Sequence, residues 1–88
     1  MEIRLHPRVA TFLKKLPEDD RRRAKEALRR LGDDPYTPRP GSDILQLKGT
    51  RHVLHRLRVG SHRFEYFVEE DAVWVDDAFH RGRGYRRP

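Results

Sequence analysis

Apolar residues in the first third of the chain recur at the spacing of an amphipathic helix. Two stretches repeat the spacing i, i+3, i+4, i+7, namely Val9, Phe12, Leu13 and Leu16, and then Ala24, Ala27, Leu28 and Leu31. This spacing places the apolar side chains of each stretch on one helical stripe. Pro7 suits the first turn of the first helix, Pro17 separates the two helices, and Gly32 ends the second. We therefore predict a hairpin of two antiparallel helices.

The rest of the chain has the patterns of β-strands. Glu2 to Leu5 alternates polar and apolar residues and predicts a short first strand. The segment from Leu45 to Leu47 is compatible with an additional short strand. A proline-containing loop is predicted at 36–43. Three further strands are predicted at 53–59, 62–68 and 72–79, and the turns between them lie at Gly60-Ser61 and Glu70-Asp71.

This order of elements, β-α-α-β-β-β, predicts an α+β fold in which the helix hairpin covers one face of a sheet. With 88 residues, the chain is expected to form a single domain, 1–88. The period of two along each strand separates the two faces of the sheet. The side chains expected to face the helices are Leu57, Val59, Phe64, Tyr66 and Val68. Those expected on the opposite, open face are Arg56, Arg58, Arg63 and Glu65.

Composition narrows the possible partners. The chain has 20 Lys and Arg against 14 Asp and Glu, a net charge of +6, and a pI near 10.3. Such a charge favours nucleic acid, an acidic protein or an anionic membrane surface. No apolar run is long enough to span a membrane and the N-terminus lacks the apolar stretch of a signal peptide, so we expect a cytoplasmic protein. The absence of cysteine excludes disulfides and thiolate metal sites.

The basic residues are concentrated near the ends of the predicted strands. Between Ile44 and Phe64 there are five Lys and Arg and no acid, and from His80 onward there are four Arg, one His and one Tyr, again without an acid. Because both stretches lie at strand ends, they are able to meet in space. Several fixed cations with an imidazole and a phenol suit the binding and cleavage of an RNA phosphodiester.

Several short segments occur in an order that resembles the RelE/ParE toxin superfamily, and its RelE branch more closely. They are the helix hairpin, Leu47-Lys48-Gly49, Arg56-Leu57-Arg58-Val59-Gly60, Arg63, His80-Arg81 and Tyr85. The resemblance covers nearly the whole chain and implies a small twisted antiparallel sheet packed on the two helices. The sequence departs from the family pattern at Asp76-Asp77, Phe79, Glu65 and Phe67.

The resemblance also implies a function. Members of the RelE branch are ribosome-dependent mRNA endonucleases that a cognate antitoxin neutralises, so we expect the ribosome, mRNA and an antitoxin as partners and no cofactor. The implied catalytic residues are Arg63, His80, Arg81 and Tyr85, and the implied RNA-binding residues are Lys48, Arg56, Arg58 and Arg83.

Several roles remain open at this level. A histidine side chain suits either a base or an acid near neutral pH, so His80 is a candidate for both roles. Tyr85 suits a base or a surface on which a nucleobase stacks. Glu65 suits a general base, although a salt bridge with Arg63 is the preferred interpretation. His52, His55 and His62 suggest a metal site, because strand pairing is able to bring His55 near His62. The spacing of a third ligand or a carboxylate is not evident, so we expect no metal.

Two other functions compete with the ribonuclease. One is a ParE-like toxin that inhibits DNA gyrase by binding, without catalysis. The other is a basic RNA-binding module without toxicity. The set of His80, Arg81 and Tyr85 favours the ribonuclease, because a protein that only binds has no need of acid and base groups.

Overall fold

The computed structural model describes residues 1–47 and 53–83, without the side chain of Arg83. Within these residues, a five-stranded sheet is accompanied by two helices and a final 3₁₀ turn. The elements are β1 (Glu2–Leu5), α1 (Pro7–Lys14), α2 (Glu18–Leu31), β2 (Asp43–Gln46), β3 (His55–Val59), β4 (His62–Glu69), β5 (Ala72–His80) and the 3₁₀ turn Arg81–Arg83. The α+β class and the helix hairpin are confirmed, and the segment left open near Leu45 is a strand.

The sheet is mixed. Its strand order is β1-β5-β4-β3-β2, and β1 runs parallel to β5 whereas the remaining neighbours are antiparallel. The expectation of an antiparallel sheet is therefore wrong for one strand pair. Almost the whole chain separates β1 from β5, and the pattern within a strand carries no information on the direction of so distant a partner.

The helix caps follow from local sequence. His6 precedes α1, and its Nδ1 accepts a hydrogen bond from the backbone N–H of Arg8, while Pro7 occupies the first helical turn. Helix α2 has acids in its first turn and Arg29 and Arg30 in its last, as the helix dipole favours. Gly32 is the C-cap of α2, as predicted.

The two helices cover one face of the sheet and form the core with it. Leu57, Phe64 and Tyr66 are fully buried, and Val59 and Val68 pack against the core while partly exposed. The predicted assignment of these residues to the helix-facing side is thus confirmed. The Tyr66 hydroxyl donates a 2.6 Å hydrogen bond to the carbonyl oxygen of Pro35, which ties the loop after α2 to the sheet.

A β-bulge interrupts β5 at the residues that depart from the family pattern. Asp77 lies opposite Glu65 and Val75 lies opposite Tyr66, so Asp76 is the extra residue. The Oδ1 atom of Asp77 accepts a 2.9 Å hydrogen bond from the backbone N–H of Ala78. Asp76 is exposed at the bulge, whereas the side chain of Asp77 is buried.

One histidine makes the stability of this fold depend on pH. His55 is 7% exposed, and its ring stacks on Tyr66 at 5.2 Å. Burial lowers the pKa of His55 below its ordinary value of 6.5. The folded state therefore favours the neutral ring, so its stabilising contribution is complete above the unfolded pKa and is lost as pH falls toward the folded pKa.

We expect His55→Phe to weaken the loss of stability as the pH falls below about 6.5, because the variant has no imidazole to protonate. Urea unfolding at several pH values measures the effect as the slope of the free energy of unfolding against pH. An unchanged slope in the variant would show that another group causes the pH dependence.

Candidate nucleic-acid interface

The face of the sheet that the helices leave uncovered carries the predicted arginines. On β3, Arg56 and Arg58 alternate with the buried Leu57, and Arg63 on β4 lies directly opposite Arg58 in the strand register. The predicted placement of these side chains on the open face is therefore confirmed. It follows from strand geometry, because successive side chains point to opposite faces.

A shallow groove of about 350 Å³ crosses this face at the β2 side of the sheet. The groove is lined by Asp43, Ile44, Leu45, Arg56, Arg58 and Arg63. Leu45 is 58% exposed, so the groove joins three guanidinium groups to an apolar surface. Such a combination suits a nucleic acid, whose phosphates take the cations and whose sugar or base covers the apolar side chain.

Arg63 is partly buried in the groove and lies near other cations. Its Nη1 donates to the carbonyl oxygens of Gly60, at 2.9 Å, and His62, at 3.3 Å. Burial lowers the pKa of Arg63, and the positive charges of Arg58, Arg81 and Arg56 lower it further. The guanidinium stays charged all the same, so its partial burial and, after it, the repulsion from the neighbouring cations both act on a fixed positive charge. A bound anion would relieve that repulsion.

The 3₁₀ turn after β5 brings Arg81 into this cluster. The backbone N–H of Arg81 donates a 2.8 Å hydrogen bond to the carbonyl oxygen of Ser61, which fixes the start of the turn beside the β3–β4 turn. The Arg81 side chain is exposed, and its charge is among those that lower the pKa of Arg63. Arg63 and Arg81 are thus brought together, as the sequence predicts.

The other arginines of the groove have acidic partners of unequal burial. Arg58 pairs with Asp43, and both side chains are at least half exposed. Exposed pairs of this kind contribute about 0–1 kcal/mol, so Asp43 restrains Arg58 only weakly. Arg56 pairs with Glu65 at 2.9 Å, with side-chain exposures of only 30% and 11%.

Glu65 was expected to pair with Arg63, but the structure pairs it with Arg56. The strand register explains the difference, because Glu65 lies directly opposite Arg56 on β3 whereas Arg58 lies opposite Arg63. The Arg56 guanidinium also lies 5.5 Å from the centre of the Phe79 ring, in a cation–π contact.

His80, the last residue of β5, lies on the face of the sheet opposite to the arginines. It lies opposite His62 in the register, and the two rings are 5.8 Å apart. The His62 ring in turn contacts Phe12 of α1 at 5.8 Å, which places this pair on the helix-facing side of the sheet. His80 is exposed, and its Nδ1 accepts a 3.3 Å hydrogen bond from the backbone N–H of Gly82. The sequence thus identifies two groups, Arg63 and His80, that point to opposite faces.

The strand pairing does not bring His55 and His62 together. The two-residue turn between β3 and β4 aligns Val59 with His62, and the same register aligns His55 with Tyr66. His52 lies outside the described residues. Among the residues that the structure does describe, no group of three or more His, Cys, Asp or Glu is arranged to hold a metal ion. No helix among them is long and apolar enough to cross a membrane.

Three predicted site residues have no structural placement. Lys48 and Tyr85 lie outside the described residues, and the side chain of Arg83 is outside them as well. Sequence reasoning missed the exposed residues Asp43 and Leu45 of the groove and the buried Phe79 beside Arg56. The alternation around Leu45 was the available signal for the first two, whereas the contact of Phe79 with Arg56 depends on a strand pairing that no local pattern reveals.

Comparisons with known proteins gave one curated relative. No model of a known protein family matches the chain. A curated protein of Methanocaldococcus jannaschii, named "Putative toxin RelE1", is 31% identical over 88 residues, which cover 98% of this chain and 96% of that protein.

Two solved structures are similar over nearly the whole chain. A chain of the archaeal RelE–RelB complex from Pyrococcus horikoshii OT3 has a TM-score of 0.79 at 30% identity, covering 94% of this chain and 97% of that one. A chain of the RelB–RelE antitoxin–toxin complex from Methanococcus jannaschii has a TM-score of 0.77 at 22% identity, covering 97% and 98%, and supports the fold. With a curated relative above 30% identity over almost its full length, the chain belongs to the RelE toxin family.

Proposed function

We propose that this RelE-family protein is the toxin of a toxin–antitoxin pair and a metal-independent endoribonuclease that cleaves mRNA in the ribosomal A site. The observation that carries the proposal is the convergence of Arg58, Arg63 and Arg81 at one end of the open face, where their charges repel one another. A cluster of this kind binds phosphate oxygens well, because each guanidinium can fork onto two of them.

The proposed reaction is attack by the ribose 2′-oxygen on the adjacent phosphorus. The 2′-hydroxyl loses its proton to a base, the new 2′-O–P bond forms, and the bond from phosphorus to the 5′-oxygen breaks as that oxygen takes up a proton. The products are a 2′,3′-cyclic phosphate and a 5′-hydroxyl. Arg63 and Arg81 would stabilise the extra negative charge of the phosphorane, which is greatest in the transition state.

Proton transfer is proposed for His80 and Tyr85. Because His80 lies at an exposed strand end beyond the open face, its ring would meet the substrate only where the RNA passes over the end of β5. This geometry favours an RNA path that leaves the groove past Gly60 and crosses the strand end.

The proposed need for the ribosome follows from the shape of the surface. The groove is shallow and open, so it cannot by itself align a flexible RNA strand for in-line attack. Correct alignment of reacting groups supplies a large part of many rate enhancements, and here it would come from the ribosome, which holds the mRNA.

One observation favours a non-catalytic alternative. Since His80 and Arg63 point to opposite faces, the described residues do not form a compact acid–base site. A ParE-like toxin that inhibits DNA gyrase by binding would need only the cationic face. A basic RNA-binding module without toxicity would also need no more than that face.

We expect the purified protein to cleave mRNA when ribosomes are present and to leave naked RNA intact. Primer extension on a translated mRNA, with and without ribosomes, is the measurement. Efficient cleavage of naked RNA would contradict ribosome dependence, and inhibition of gyrase supercoiling without RNA cleavage would favour the ParE-like alternative.

We also expect Arg63→Ala to lower single-turnover cleavage more than ribosome binding, and Arg58→Ala to do the reverse. Arg63 is the central cation of the cluster and acts on developing charge, whereas Arg58 supplies an exchangeable phosphate contact. Loss of that contact should reduce the salt dependence of binding by about 1 unit of slope.

The matched control for both variants is Arg29→Ala, which removes an exposed arginine that pairs with Glu26 on helix α2. It should change neither binding nor turnover appreciably. If Arg63→Ala and Arg58→Ala affect binding and single-turnover rate equally, the assigned roles are wrong.

The positive charge of the open face also supports the proposal of an antitoxin partner. Both similar structures are complexes of RelE with RelB, and the cationic face of this chain suits an acidic, flexible segment that covers a large area. We expect a neighbouring gene to encode a protein whose C-terminal part is disordered alone and folds on this chain.

Co-expression with that gene should relieve growth arrest, and hydrogen exchange should show protection of backbone amides around Arg63 and Arg81 in the complex. A chain that is harmless when expressed alone, and that recovers no partner from its native host, would favour the RNA-binding module instead.

A further inference from the structure

Two buried carboxyl groups lie side by side in the middle of the sheet, next to the cationic groove. Glu65 on β4 and Asp77 on β5 lie opposite each other in the register, and they are only 8% and 2% exposed. The bulge at Asp76 brings Asp77 into register with Glu65. Two neighbouring carboxyl groups therefore separate the cationic groove from the rest of the sheet.

The far side of this acidic pair has a different surface. Phe67 and Trp74 stack with ring centres 6.3 Å apart, and Arg4 on β1 lies 5.0 Å from the Trp74 ring. Arg4 also pairs with Glu2 at 3.2 Å. This half is aromatic and balanced in charge, so it gives a phosphate chain little reason to extend across it.

Arg56 stands at the border between the two halves. Its Nη2 donates to Glu65, its guanidinium lies over the Phe79 ring, and its buried Nε finds no hydrogen-bond partner among the described residues. These contacts hold the side chain in one place, and the charge of Glu65 offsets its own. Arg58 differs, because its partner Asp43 is half exposed and readily replaced.

We propose that Glu65 and Asp77 form an acidic boundary that withdraws Arg56 from phosphate binding and confines the bound RNA strand to the end of the sheet at Arg58, Arg63 and Arg81. The inference rests on the proposed function in taking RNA as the bound polyanion. It revises the expectation from sequence that Arg56 contacts RNA. Glu65 would thus influence the path of the RNA indirectly, by holding Arg56 away from the phosphates.

Binding of a 2′-O-methyl RNA oligonucleotide tests this directly, because such RNA has no free 2′-hydroxyl and cannot be cleaved. Fluorescence anisotropy over a range of salt concentrations gives affinity and the number of phosphate contacts. Arg58→Ala should reduce the slope of log K against log salt by about 0.7, and Arg56→Ala should reduce it far less.

Glu65→Gln should release Arg56 for one further phosphate contact. We expect the slope to steepen by about 0.7 and the affinity at about 0.1 M salt to rise about fivefold. The gain should vanish in the double variant Glu65→Gln, Arg56→Ala. Asp71→Asn is the matched control, since it makes the same change in charge in the β4–β5 turn, where Asn tolerates the left-handed backbone of Asp71.

The boundary is refuted if Arg56→Ala reduces the slope as much as Arg58→Ala does, or if Asp71→Asn raises affinity as much as Glu65→Gln. The first comparison stands even if Glu65→Gln fails to fold, which a thermal melt would reveal. Wild-type protein that binds no oligonucleotide also overturns the inference. The proposed ribonuclease activity is judged separately by primer extension, so binding as expected without ribosome-dependent cleavage would reject that function and leave the boundary intact.

Discussion

The register of the β3–β4 hairpin determines both the core and the candidate site. Gly60 adopts a positive φ of 59°, which a glycine accepts without strain, and the two-residue turn aligns Val59 with His62. This alignment sends Leu57 and Phe64 into the core and leaves Arg58 and Arg63 side by side on the open face. A slip of one residue would bury guanidinium groups and expose apolar ones, so the apolar core holds the cations together. Repulsion among those cations is thus a consequence of the fold, and it makes this end of the sheet a place for an anion.

The arginines of this face differ in how deeply their acidic partners are buried. Asp43 is exposed beside Arg58 and restrains it weakly, whereas Glu65 is almost buried and holds Arg56. Charge counted along the sequence does not distinguish these arginines, since both belong to the same short basic segment of β3. Burial of the partner is what separates an arginine available to a ligand from one committed to the protein. The same reasoning explains why the bulge at Asp76 matters, because it places Asp77 next to Glu65.

The sequence predicted the elements well because each has a local cause. Apolar helix stripes, helix caps and two-residue turns each depend on a few neighbouring residues. The face on which a core strand residue lies follows from the period of two along the strand. The parallel pairing of β1 with β5, the salt bridge of Glu65 with Arg56 and the contact between His62 and His80 were not foreseen. Each depends on which strands become neighbours and in what register, which is set by the packing of the whole domain. Family resemblance identified Arg63, Arg81 and His80 together, but it did not reveal that the imidazole and the guanidinium of Arg63 point to opposite faces.

We propose above all that the cationic end of the open face promotes attack by the ribose 2′-oxygen on mRNA held by the ribosome. The chemistry of the cleaved ends tests it most directly. The protein would be added to ribosomes paused on a defined mRNA, and the two fragments would be analysed by mass spectrometry. A 2′,3′-cyclic phosphate on the upstream fragment and a 5′-hydroxyl on the downstream one, both located at the A-site codon and both lost with Arg63→Ala, is the predicted result. Intact mRNA, or fragments with a 5′-phosphate, would contradict the claim.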